Sequence, residues 1–349
     1  MKLAVWLPNW IGDVAMATPA LRALREHFAG AEVVGILRPY IADVLAGTTL
    51  LDRLLIHDPK GKSPFHRGFG FGWALRRERF DLAVVFPNSL RSGFWAWASG
   101  AKRTLGYARN GRSVLLTDPI PAPSQATPHP VLDENLQLVA QLGCRTLSRK
   151  LELATLPRDE QQIADFWKRH PVADSTDYVT LNTGGAFGAA KDWPTDYFTE
   201  LARRLAVDLG RTVLIVCGPG ERSTAQRIAA EVAHPRVVSL ANEPLSIGLT
   251  KAAIRHASLL ITTDSGPRHF AAAFDVSTLT LFGPTHIAWS ETFHPQAVHL
   301  QLSVDCGPCQ QRVCPLKHHR CMRELTVDDV FAEIVRRWPN AAPRIGCAA

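Results

Sequence analysis

Along the first 90 residues, short apolar runs alternate with stretches whose apolar positions recur every three or four residues. The runs "KLAVWL", "AEVVGIL", "RLLIH" and "DLAVVFP" are apolar throughout rather than at alternate positions. Strands of this kind are buried on both faces, as in a parallel sheet. Between them, "ALRALREHF" and "GWALRRERF" carry the helical period. The rhythm is strand, helix, strand, and it predicts a parallel sheet covered on both sides. Residues 118–130, "DPIPAPSQATPHP", hold five prolines and predict a loop; "VLDENLQLVAQLG" then predicts an amphipathic helix ending at Gly143.

From about Leu156 to Asp177 charge density rises and strand character disappears, so 161–177 is expected to be an interdomain segment. A second alternation follows, with strands "YVTLNTG", "TVLIVCG", "RVVSLAN", "LLITTDSG" and "STLTLFG" and helices "YFTELARRLAVDLG" and "RSTAQRIAAEVA" between them. Each strand ends on a small or polar residue, and that edge of an open parallel sheet is where ligands bind. The last pattern, "TVDDVFAEIVRRW", is a helix with Thr326 as N-cap. Two Rossmann-like halves are expected, 1–160 and 178–325, followed by a helix and tail over 326–349. Neither half carries GxGxxG after its first strand and there is no P-loop, which argues against nicotinamide, flavin and P-loop nucleotide chemistry.

The chain has 349 residues, enough for two domains. Lys and Arg number 39 against 32 Asp and Glu, a net +7 that favours anionic partners. The basic residues are spread out and no recognition helix is visible, so nucleic acid is not expected as a partner. Pro8, Asn9 and Asp13 interrupt the N-terminal apolar stretch too early for a signal peptide, and no run approaches a membrane span. The expectation is a cytoplasmic protein with at most peripheral membrane contact. Seven cysteines, four of them within Cys306–Cys321, suit thiol or metal chemistry better than a secreted disulfide framework.

Four strand ends and one loop carry candidate chemistry. In "PNWIGDVAMATPALRALR", Asp13 follows Gly12 where the first strand gives way to a helix. It is either a helix cap or a carboxylate in a ligand crevice. If Thr18 caps a helix starting at Pro19, Asp13 is free for chemistry; if the helix begins earlier, Pro19 falls inside it and should kink it. In "NTGGAFGAAKDWP", Thr183, Gly184 and the neighbouring glycines let backbone approach an anion, with Lys191 as a flexible cation or merely a solvated one. In "TTDSGPRHFAAAF", Asp264 or Ser265 could cap a helix starting at Pro267, whose N–H groups attract phosphate; Asp264 itself should hold hydroxyls or brace the loop. His269 is a core histidine or a site residue. Glu221, in "CGPGERSTAQ", is a ribose-type acceptor or first-turn decoration. Cys306, Cys309, Cys314 and Cys321 are spaced C-x2-C-x4-C-x6-C, which suits either a compact structural zinc site or free, redox-sensitive thiols.

Taken together, "PNWIGDVAMATPALRALR", "FPNSLRSGFWAWASGAKRTLGY", "GGAFGAAKDWP" and "TDSGPRHFAAAFDVSTLTLFGPT" resemble the ADP-heptose:lipopolysaccharide heptosyltransferases, family 9 of the glycosyltransferases. The likeness covers nearly the whole chain in the family's order, and "PNSLRS" and the Lys191 stretch most resemble members that add the second inner-core heptose. It implies a GT-B fold, two Rossmann-like domains facing a central cleft, the first binding acceptor and the second the nucleotide sugar. It implies inverting transfer without a metal cofactor, from ADP-heptose to the heptosyl-Kdo2-lipid A inner core of lipopolysaccharide. By resemblance Asp13 is the base, Lys191 the phosphate ligand, Glu221 a ribose contact and Asp264, Ser265 and Gly266 the donor cradle. His269 matches the family's histidine, while Arg268 and Phe270 replace the more common Met and Leu. Gly12, Asn88 and Arg91 are expected to bind substrate, and Arg91, Arg109 and Arg112 to contact the acceptor's anionic groups. Another donor or acceptor within the family, or a noncatalytic nucleotide-sugar binder, is the competing expectation.

Overall fold

The computed structural model describes residues 1–145, 148–171, 177–185 and 187–338. The end of the expected interdomain segment, the C-terminal tail and Ala186 of the glycine-rich loop lie outside these residues. The chain divides into two compact units, Met1–Ala154 with Ala288–Thr292, and Thr155–Ile287 with Phe293–Ala349. The boundary therefore falls before Pro157–Arg169, which is a helix of the second unit packed on helix Ile247–Arg255 rather than a connecting segment.

The first unit contains strands β1 (Lys2–Trp6), β2 (Glu32–Leu37), β3 (Arg53–Ile56), β4 (Leu82–Val85), β5 (Arg103–Tyr107) and β6 (Asp118–Ile120). They form one parallel sheet in the order β3-β2-β1-β4-β5-β6. The second unit repeats this winding with β7 (Tyr178–Asn182), β8 (Thr212–Val216), β9 (Val237–Ser239), β10 (Leu259–Thr263), β11 (Ser277–Phe282) and β12 (Ala297–Gln301), ordered β12-β11-β10-β7-β8-β9. In each sheet the order reverses beside the unit's first strand, between β1 and β4 and between β7 and β10. Such a reversal opens a crevice at the carboxyl ends of the two strands. The central strands β4, β7, β8 and β10 are wholly buried, which explains their unbroken apolar runs.

One local expectation is corrected and one open alternative is decided. Residues 118–120 are not loop but the edge strand β6, where Pro119 is tolerated because its missing N–H costs no interior ladder bond. The first helix runs Ile11–His27 with Pro19 inside it, the second of the two alternatives. Proline cannot donate to the Ala15 carbonyl, and the Thr18 hydroxyl does so instead at 2.7 Å while accepting from Glu152 N at 2.9 Å. The C-terminal helix Val327–Arg337 starts as expected, with Thr326 and Asp329 capping each other's backbone N–H groups.

Candidate active site

In the first unit, Asp13 lies in the first turn of helix Ile11–His27, past the β1 end of the switch point. It is not the N-cap. That position is Trp10, whose side chain makes no capping hydrogen bond. Asp13 and Gly12 are half-buried, and a carboxylate in a first helical turn is favoured by the helix dipole. Across the reversal, the β4 end carries Asn88 and Arg91. Asn88 is held by its neighbours: its carbonyl oxygen Oδ1 accepts from Arg112 Nη2 at 3.0 Å, and its backbone carbonyl accepts from Asn110 at 2.7 Å.

Arg112 is not the exposed anion contact expected of it. It is fully buried, donating to Tyr107 O at 2.8 Å, to Pro87 O and to Ser92 Oγ at 3.1 Å, so it braces the Pro87–Ser92 turn from within. Burial, and after it the charge of Arg109, brings its pKa down to about 10. Arg109 is also committed, to Glu134 at 3.1 Å and Pro123 O at 2.8 Å. Of the three arginines only Arg91 is exposed. It shares a pocket at the carboxyl ends of β1, β2 and β4 with Arg38, His57 and Trp95. Sequence reasoning passed over Arg38 and His57. Their signal was position, since each is the first residue past a strand of the switch-point edge. Burial, then Arg38 and Arg91, pull the His57 pKa down to about 4, so its ring is neutral at neutral pH.

The second unit joins three strand ends. Asn182, last in β7, places its amide nitrogen 2.9 Å from Gly184 O, 3.0 Å from Thr262 Oγ1 and 2.9 Å from Ser265 Oγ, tying β7 to β10 across the reversal. Glu221 stands against Gly184, where a Cβ would fall 2.4 Å from its Cγ, so a larger residue would push Glu221 aside. Its carboxylate accepts from Gly218 N at 3.1 Å, the first-turn role, and its side chain is half-exposed beside Gly184. Ser265 does not cap the helix Pro267–Ala273, nor does Asp264: that helix has Gly266 at its N-cap and no side-chain cap bond. Ser265 faces Asn182 and Thr262 instead.

Lys191 reaches Asp264, Nζ to Oδ2 at 2.5 Å and to the backbone oxygen at 3.1 Å. Thr285 donates to the same carboxylate at 2.7 Å, and Arg268 lies 3.5 Å away. Burial would push the Asp264 carboxyl up, but Lys191 and Arg268 outweigh it and hold the pKa at about 2. Lys191 and Arg268 thus both lie against the single Asp264 carboxylate. Buried His269 is pulled down to about 3, first by burial and then by Arg268. It is therefore a neutral ring. Its Nδ1 and the buried Thr183 hydroxyl have no hydrogen-bond partner among the described residues. Native buried polar atoms rarely stay unpaired, so both mark places for a ligand or water.

The four cysteines carry free thiols, Cys306 exposed and Cys309, Cys314 and Cys321 partly so. Among the described residues no group of three or more His, Cys, Asp or Glu side chains is arranged to hold a metal ion. The expected zinc site is thus not formed by these side chains. The Cys314 thiol is instead held below the usual range by backbone N–H groups, His319 first. Burial and the other three cysteines push Cys321 up. The loop also supports the glycine-rich loop. Arg312 O accepts from Ala190 N at 3.0 Å, and Gly188, at φ +148°, would place a Cβ 2.5 Å from that oxygen.

The chain is similar throughout to known proteins. The description "Glycosyltransferase family 9 (heptosyltransferase)" matches residues 69–320. Lipooligosaccharide heptosyltransferase 2 of Campylobacter jejuni is 26% identical over 96% of this chain and 98% of its own length. Lipopolysaccharide heptosyltransferase 1 of Pseudomonas aeruginosa is 32% identical over 90% of this chain and 87% of its own. The solved structure of Escherichia coli ADP-heptose LPS heptosyltransferase II superposes with a TM-score of 0.79 at 21% identity, over 97% of this chain and 99% of that one. This likeness bears out the expected GT-B fold class, built from two Rossmann-like parallel sheets.

Proposed function

Since this chain belongs to glycosyltransferase family 9, the heptosyltransferases, and is a glycosyltransferase, we propose that it transfers heptose from ADP-L-glycero-β-D-manno-heptose to the Kdo-lipid A inner core of lipopolysaccharide, with inversion. The observation that carries this reading is the Lys191–Asp264–Arg268 cluster beside unpaired Thr183 and His269 at the switch point of the second sheet. A nucleotide diphosphate brings negative charge to such a crevice, and the Lys191 ammonium favours it. Glu221 accepts from the ribose. Thr183 and neutral His269 hydrogen-bond the donor. In the first unit, Asp13 takes the proton of the acceptor hydroxyl as its oxygen attacks the anomeric carbon, and the bond to ADP breaks on the opposite face. Lys191 and the loop N–H groups stabilise the charge developing on the departing diphosphate, so no metal is needed. Arg38 and Arg91 meet the acceptor's carboxylates or phosphates.

Among the described residues no helix is long and apolar enough to cross a membrane. The lipid acceptor places the enzyme's work at the cytoplasmic face of the inner membrane, by peripheral contact. The two relatives carry the numbers 1 and 2, and the PNSLRS and Lys191 motifs favour addition of the second heptose. The test is mass-spectrometric detection of product from ADP-heptose and Kdo-lipid A acceptors carrying no heptose or one. Product only on the mono-heptosylated acceptor is expected. Product only on the bare acceptor reassigns the step, and product on neither removes the proposal.

A further inference from the structure

Two neighbouring helices of the first unit turn large apolar side chains to solvent. Helix Leu90–Ala98 buries Ser92, Gly93 and Ala96 and turns Leu90, Phe94 and Trp97, spaced i, i+4, i+7, to solvent. Helix Gly68–Arg77 buries Phe71 and Leu75 but exposes Phe69 completely (100%) and Trp73 by half. Phe65, from the turn just before, is also exposed and lies 6.1 Å from Trp73. The helices are locked together by Trp95, which packs on Gly72 and lies edge-on to Phe71 at 5.2 Å. Their N-terminal ends share an open hollow of about 560 Å³ lined by Arg67, Phe69, Arg91 and Trp95. Folding of this unit alone gives no reason to place large aromatic rings outside and small residues inside. An exposed apolar patch of this kind marks an interaction surface.

The charges around the patch identify the partner. Lys60, Lys62, Arg67, Arg76, Arg77 and Arg91 are all exposed; Arg77 lies 4.5 Å over Trp73, and Arg67 and Arg91 line the hollow with Phe69. No Asp or Glu occurs between Lys60 and Arg77 or between Leu82 and Thr117. The two acids in between are already paired, Glu78 with Lys2 and Arg53, and Asp81 with Lys102. Aromatic side chains rimmed by basic ones are what an anionic bilayer interface takes: the rings enter the boundary between headgroups and acyl chains, and the cations meet phosphate. We infer that the first unit docks on an anionic phospholipid bilayer through Phe65, Phe69, Trp73, Phe94 and Trp97. This deepens the membrane contact of the proposed function by naming the surface that makes it, and rests on that reading for its purpose.

The test is flotation of the full chain with phosphatidylcholine vesicles containing or lacking phosphatidylglycerol. No donor or acceptor is present, so failure here and failure of heptosyl transfer are read separately. The wild type should float with the phosphatidylglycerol vesicles and stay behind with phosphatidylcholine alone, and raised salt should release it. Phe69→Ser with Trp97→Ser should cut partitioning about tenfold or more with an unchanged melting temperature. If that pair lowers the melting temperature, Phe69→Ser alone, at a side chain packed against nothing, gives the same reading at smaller amplitude. Arg67→Glu with Arg76→Glu should remove the preference for phosphatidylglycerol. Wild-type protein that ignores anionic vesicles, binds both kinds equally, or binds unchanged after the serine substitutions overturns the inference. So does a wild-type dimer that leaves vesicles alone and dissociates on those substitutions, which would make the patch a protein interface.

Discussion

The two units wind their six strands in the same order, yet their switch points are furnished differently. The crevice of the first sheet is open and carries Asp13, Arg38, His57 and Arg91 partly exposed. That of the second is nearly closed: Asp264, Arg268, His269 and Thr183 are buried and Lys191 is ion-paired. One topology thus offers two ligand edges, and burial and charge decide what each can do. A half-exposed carboxylate can exchange a proton with an arriving hydroxyl. A buried, cross-linked cluster that includes two cations can hold an anion of fixed shape without reorganising, which is the requirement for stabilising a leaving group.

Substitutions that break one side of this comparison should leave the other intact. The largest effect is expected for Asp13→Asn, which removes the base: kcat should fall about 10²–10⁴-fold, while the chain, keeping a polar side chain of the same shape in the first turn, should still unfold cooperatively. Steady-state kinetics and urea unfolding check both halves. Lys191→Ala should lower both activity and stability. It removes the ionic partner 2.5 Å from buried Asp264 and leaves Arg268 at 3.5 Å. Breaking a buried pair costs about 3–5 kcal/mol, and Arg268 should keep this one at the lower end; Arg268→Met should cost less than Lys191→Ala in both readouts.

The next prediction concerns pH. His269 is held near 3 in the folded chain against 6.5 for an ordinary histidine. The unfolded state therefore binds a proton that the folded state refuses between these values. Stability is complete above about pH 6.5 and falls as pH drops towards 3, by about 1.4 kcal/mol per pH unit where the difference is one full proton. His269→Gln should flatten this limb, and denaturant melts from pH 7 to 4 measure it. An unchanged slope would mean the ring is not buried neutral. Smallest, and remote from both crevices, Thr326→Ala should cost about 1 kcal/mol through the lost cap and leave transfer unchanged.

What was legible in the sequence followed burial. The central strands β1, β2, β4, β7, β8 and β10 are deeply buried and announce themselves as apolar runs. Edge strands β6 and β12 are half-exposed and were not read, and in β5 a threonine and a glycine interrupt the run. The sequence leaves open which of the two starts the first helix takes, because the hydrogen bond from Thr18 that accommodates Pro19 is encoded by no local pattern. Loops at the strand ends were legible as places. Their internal wiring was not: that Lys191 meets Asp264 across 73 residues, that Arg112 turns inward and that the four thiols form no ligand set are tertiary facts. Arg38 and His57 were readable from strand-end position alone but carried no motif to attract notice.

The division of labour between the two crevices is tested most directly by calorimetric titration of ADP into the wild type, Asp13→Asn and Lys191→Ala proteins, each also assayed for transfer. Asp13→Asn should bind ADP as the wild type does while transferring almost nothing, and Lys191→Ala should lose ADP affinity. Undiminished ADP binding by Lys191→Ala, or full transfer by a folded Asp13→Asn protein, would contradict it.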